Sequence, residues 1–127
     1  MTFGDYLEEP LEFVRATIAR AALVRCKVLA IDFTSAQDDG SRYDFILAAD
    51  IVYDPAHYSP LAAYLERHLA PGGTVLLTES LRADAAVFIE GMLARGFSDR
   101  RAALWVVEDG RRERTWMHEL RRSAPPR

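Results

Sequence analysis

An α/β fold, with a mostly parallel sheet, helices on both faces and a closing antiparallel hairpin, is predicted by three features of this 127-residue sequence. Short β-rich runs alternate with amphipathic helical stretches, the pattern of βα units. The stretch YDFILAA is apolar almost without interruption, as in a parallel strand buried on both faces. Near the C-terminus, Asp109-Gly110 stands between two strand-like runs, a strong hairpin signal.

The elements follow in order. Residues 9–23 read as a helix: Pro10 suits the first turn, and Glu8 and Glu9 complement the positive end of the dipole. Leu11, Val14, Ile18 and Ala22 fall at helical spacing and form its core stripe. CKVLAIDF, residues 26–33, is a β-rich run, and TSAQDDGS after it is a polar loop with a glycine turn signal. YDFILAAD, residues 43–50, is the second strong strand, broken by DPAHYSP. Ser59 and Pro60 mark a helix start, cap then first position, and APGG ends that helix near residue 69. A third strand begins at residue 73 or 74 and ends at 78. The last helix covers residues 83–95, with Gly96 as a left-handed cap. Trp105 and Trp116 of the hairpin are expected in the core. Residues 1–122 are expected to form a single domain and 123–127 a disordered tail.

Composition narrows the function. Half of the residues are hydrophobic and 28% are charged, which suits a globular domain with its own core. The longest apolar runs are about eight residues, against roughly 20 for a bilayer span. The acidic N-terminus lacks a secretory pattern. One cysteine, Cys26, allows no internal disulfide, so the cytoplasm is the expected compartment. That cysteine and the scattered His57, His68 and His118 have no metal-ligand spacing, and no metal is expected. The net charge of −3 argues against a general nucleic-acid binder. From Arg100 onward, however, eight arginines face four acids, whereas the preceding chain carries eight basic and fifteen acidic residues. This segment reads either as a solvated hairpin and tail or as a contact surface for an acidic partner.

In open α/β sheets, ligands bind outside the carboxyl ends of the strands. VLAIDF carries Asp32 at its end, FILAAD ends on Asp50, and TFGD gives a strand stub closing on Asp5. A carboxylate at such an edge can accept hydrogen bonds from a ribose or an adenine amine. Phe33, Ile51 and Leu7 could cover a flat base. Each acid also has a plainer role. Asp50 would cap the turn after its strand, and Asp32 the loop at Thr34 and Ser35.

YDFILAADIVYDPAHYSPLAAYLERHLAPGGTVLLTES resembles the second half of a class I S-adenosylmethionine-dependent methyltransferase. It is most similar to the seven-strand family of protein-lysine methyltransferase-like enzymes. That family has an apolar strand ending in a small residue, here Ala49. Asp-x-x-Tyr or Asp-x-x-Phe and an acid or proline follow, here Asp50-Ile51-Val52-Tyr53 and Asp54-Pro55. The resemblance implies a Rossmann-like fold with S-adenosylmethionine as cofactor. It implies that Asp5 holds the ribose, that Asp32 and Phe33 meet adenine, and that Ala49 borders the cofactor. Asp50 and Tyr53 would be the catalytic residues, serving methyl transfer to a protein nitrogen, foremost lysine. The implied partner is a protein substrate, with no specific nucleic acid and no membrane.

One departure stands out. The family's first strand and glycine-rich loop belong upstream of Asp5, and no Gly-x-Gly occurs in this sequence. The first strand is central in the family's sheet order, 3-2-1-4-5-7-6. The expectation is therefore an N-terminally truncated methyltransferase fold. The alternative is a non-catalytic remnant that acts as a protein-interaction module through an exposed sheet edge. A receiver or hydrolase fits less well. The only lysine, Lys27, opens a strand, and no Gly-x-Ser-x-Gly occurs.

Overall fold

A computed structural model describes residues 1–35, 38–79 and 85–122. The expected tail at 123–127 and the first two residues of the helix expected at 83–95 lie outside the described residues. The chain divides into two compact units, Met1–Ser35 and Ala36–Arg127.

The first unit holds β1 (Thr2–Asp5), α1 (Glu8–Arg20) and β2 (Lys27–Ala30). β1 and β2 pair in parallel from Thr2↔Lys27 to Asp5↔Ala30. The Ile31 amide adds a bond to the Asp5 carbonyl at 2.8 Å. Glu8 and Glu9 occupy the first turn of α1, as expected, and Leu11 is buried. The helix ends at Arg20 rather than at residue 23. Ala22 takes a left-handed φ of 50° and is exposed, so it leaves the core stripe.

The second unit holds β3 (Tyr43–Ala49), α2 (Tyr58–His68), β4 (Leu69–Thr78), α3 (Ala86–Ala94), β5 (Phe97–Glu108) and β6 (Arg111–Arg122). Its four-stranded sheet runs β3-β4-β6-β5, with β3 parallel to β4 and β6 antiparallel to both β4 and β5. Val75 and Leu77 of β4 and Leu120 of β6 are fully buried, as are Leu61, Leu65, Phe88 and Met92 of the helices. Each such side chain contributes on the order of 1.5–3 kcal/mol. Tyr58 meets Phe88 edge-on at 5.7 Å and ties α2 to α3. Each sheet by itself follows part of the order that the resemblance implies, β1-β2 its 2-3 pair and β3-β4-β6-β5 its 4-5-7-6 run.

Several local expectations change. α2 starts at Tyr58, one residue before Ser59. A single 3-10 turn, Pro55–His57, precedes it, and the Asp54 carboxylate starts that turn by accepting the Ala56 amide at 3.0 Å. β4 begins at Leu69, directly after α2, not at 73 or 74. APGG lies inside the strand as a bulge, where pairing jumps from Tyr43↔Leu69 to Phe45↔Thr74. Gly72 there has a φ of 76°. β3 is not buried on both faces. Ala48 is inward, but Phe45 and Leu47 on the opposite face are 65% and 72% exposed. Trp105 is 56% exposed and is not core, and Trp116 is half-buried. The hairpin turn is as expected, with Asp109 and Gly110 at φ 49° and 74°, the two positive angles of a type I′ turn.

The bulge makes a prediction. A Cβ on Gly73 would lie 2.9 Å from the Ala70 carbonyl oxygen and 3.0 Å from that of Asp44, both backbone atoms. Gly73→Ala should cost about 1–3 kcal/mol. Gly91→Ala in α3, where a Cβ meets nothing within 4 Å, should gain about 0.5–1 kcal/mol. Urea midpoints at unchanged slope measure both. Equal effects of one sign would contradict the packing described.

Candidate active site

In the first unit the parallel pairing places the carboxyl ends of β1 and β2 at one edge, and so brings Asp5 and Asp32 to that edge. Asp5 closes β1, and its Oδ1 accepts the Leu7 amide at 2.9 Å. Asp32 lies just past β2. Its Oδ1 accepts the Thr34 amide at 2.9 Å and the Thr34 hydroxyl at 2.5 Å, and its carbonyl accepts the Ser35 amide at 3.0 Å. The capping role of Asp32 is thus realised. Such a cap fixes the orientation of the carboxylate at the strand end. Phe33 beside it is half-buried.

In the second unit the edge is built by β3. Ala49 is its last residue and pairs with Thr78, the last of β4. Asp50 follows with a φ of 55°, a left-handed conformation costing a non-glycine residue roughly 1–2 kcal/mol. Such local strain is concentrated at functional sites. It turns the chain sharply out of the strand. Val52 then plugs into the core with no exposure, and Tyr53 surfaces at 46%. Asp54 caps the next turn, with the His57 ring 4.0 Å away. The tetrapeptide therefore alternates between anchoring and presentation.

Two arrangements were not legible in the sequence. Glu79, directly after β4, meets His118 Nε2 at 2.9 Å, while Asp99 of β5 meets His118 Nδ1 at 2.9 Å. The histidine is buried and both acids are mostly so. The three residues lie far apart in the chain, and only the β4-β6-β5 order brings them together. A second cluster joins Asp38, Asp39 and buried His68 within possible metal-ligand distance. Its histidine Nδ1 donates to the Ser41 carbonyl at 3.0 Å, so this nitrogen is committed to the loop. Both acids are held below the usual carboxylate range, Asp38 chiefly by the Arg42 side chain and Asp39 by the Ser41 amide.

The fold is that of the class I S-adenosylmethionine-dependent methyltransferases. The N-methyltransferase NodS from Bradyrhizobium japonicum, solved with S-adenosyl-L-homocysteine, matches with a TM-score of 0.69 and 17% identity, over 97% of this chain and 66% of that one. Precorrin-6y C5,15-methyltransferase from Geobacter metallireducens matches at 0.76 and 12% identity, over 96% and 66%. TrmN from Thermus thermophilus matches at 0.72 and 21% identity, over 96% of this chain and 36% of that one. The chain thus spans less than two thirds of the length of each of these three. Residues 3–94 match the family described as lysine methyltransferase, and the chain belongs to that family. No match occurs among curated proteins.

The histidine clamp is testable. His118→Leu leaves two mostly buried carboxylates facing an apolar side chain and should cost about 3–5 kcal/mol. Replacing Glu79, Asp99 and His118 together by leucine should recover much of that loss, because no charge is then stranded. Urea unfolding of both variants measures this. A triple variant no better than the single one would show that the charges are not the cause.

Proposed function

We propose that this chain is the methyl-transfer domain of a protein-lysine methyltransferase, with S-adenosylmethionine as cofactor. The observation that carries the reading is Asp50, turned out of β3 by its left-handed backbone within the segment that matches the family. Solved structures that match over 94–97% of the chain support treating residues 1–122 as one domain. The donor set suits the cofactor. Asp5 and Asp32 would hold ribose hydroxyls and the adenine amine, Phe33 would cover the base, and Ala49 would let the cofactor approach the strand end.

When bound, S-adenosylmethionine supplies a methyl group on a positively charged sulfur, which requires aligned, in-line approach more than acid catalysis. Asp50 orients the incoming ammonium of the acceptor and helps draw off its proton, so that the neutral amine is the nucleophile. Tyr53, exposed beside it, shapes the channel. No helix among the described residues is long and apolar enough to cross a membrane. We place the protein in the cytoplasm, on its cysteine usage.

A second reading is favoured by one observation. β3 is an edge strand among the described residues, and Phe45 and Leu47 beside that edge are exposed. A non-catalytic remnant would use this edge to bind another protein. A monomer whose mass in light scattering does not change with concentration would count against self-association there.

Calorimetric titration with S-adenosylhomocysteine tests the main reading. Saturable one-to-one binding is expected, weakened about 10–100-fold by Asp5→Ala, the loss of one charged hydrogen bond. Asp50→Ala should retain this binding and lower kcat at least about 100-fold. A folded chain that does not bind, or an Asp50 variant with full turnover, would overturn the respective assignment.

A further inference from the structure

The β5–β6 hairpin is longer than the sheet it belongs to. β4 ends opposite β6 at Thr78↔Met117, with one further bond from the Glu79 amide to the Trp116 carbonyl. Beyond it, the pairs from Ala103↔Trp116 to Glu108↔Arg111 join β5 and β6 alone. Because Ala49 pairs with Thr78, this two-stranded ribbon rises past the same edge that carries Asp50. It stands two strand spacings from β3, roughly 10 Å.

The register sorts its side chains. Arg101↔His118, Ala103↔Trp116, Trp105↔Arg114 and Val107↔Arg112 share one face. On that face arginine and tryptophan interleave. The Arg101 and Arg114 guanidinium groups lie over the Trp116 ring at 4.7 Å and 5.1 Å, and that of Arg112 lies over Trp105 at 4.4 Å. Such stacking holds a guanidinium by its plane and leaves its N–H edge to donate. Among the described residues, no carboxylate forms an ion pair with Arg101, Arg112 or Arg114, although the chain as a whole is acidic. The pairs that contain acids, Val106↔Glu113 and Glu108↔Arg111, alternate with those of this face, and Asp109 is in the turn.

We propose that this arginine-tryptophan face is the docking surface for an acidic segment of the acceptor protein. Three cations that form no ion pair among the described residues call for an anionic partner, and guanidinium edges match carboxylates bidentately. Nucleic acid fits less well, because bases need open aromatic faces and each ring here already carries a guanidinium stack. The ribbon's position selects acceptors whose lysine lies near an acidic stretch. That role in acceptor choice rests on the methyl-transfer reading, whereas docking itself does not.

The test uses the chain without cofactor. Trp105 and Trp116 are its only tryptophans, so intrinsic emission reports this face alone. Titration with a short capped oligoglutamate should give a saturable change that weakens with salt. Arg112→Gln with Arg114→Gln should weaken binding about tenfold, read also by anisotropy of a labelled peptide, with the circular dichroism spectrum unchanged. A capped oligolysine should give no change. Absence of saturable binding, equal binding by the double variant, or tighter binding of oligouridylate than of oligoglutamate would each overturn the proposal. Oligoglutamate binding without S-adenosylhomocysteine binding would sink the methyl-transfer reading and leave the docking surface standing.

Discussion

The imidazole of His118 is held between two carboxylates, and the upper part of the larger sheet depends on how those bonds are met. Glu79 meets its Nε2 and Asp99 its Nδ1, each at 2.9 Å, so both ring nitrogens are engaged. This places a compact hydrogen-bonded cluster where β4 stops and β5 and β6 continue. Thr115 reinforces it by donating its hydroxyl to the Glu79 carbonyl at 3.1 Å. The end of the parallel part of the sheet is thereby fixed to the antiparallel part.

The strand-end acids of both units obey one constraint. A parallel strand ends with its carbonyls and its chain direction pointing out of the sheet, and the residue there must turn. Asp5 and Asp32 turn with the help of local amide and hydroxyl bonds. Asp50 turns by taking a left-handed backbone. Aspartate suits both solutions because its short side chain caps neighbouring amides and tolerates positive φ. The acids thus sit at strand ends for reasons of chain geometry, which also makes them available as ligands.

Local chemistry explains what could be read beforehand. The Asp109-Gly110 turn, the cap at Gly96 and the strand that ends in Ala49 all follow from a few adjacent residues. The bulge did not, because APGG looks like a helix stop whether or not a strand resumes at Leu69; only pairing with Tyr43 decides it. The inward placement of Trp105 failed for a related reason. An alternating apolar strand implies a covered face only if something covers it, and the ribbon outruns its neighbours. Glu79, Asp99 and His118 carried no signal at all, since nothing in their spacing marks residues joined through sheet order.

The ribbon beyond Ala103 has a mechanical consequence. Two strands alone are marginally stable in water. Its hydrogen bonds are therefore secured from the root, at the histidine clamp, and not from the tip. Opening would begin at the Asp109-Gly110 turn and travel downward, giving amide exchange that is fast near Arg111 and slow near Thr115. The outer pairs behave as a zipper whose slider rests at the sheet edge, so the reach of the arginines is set by how far it has run.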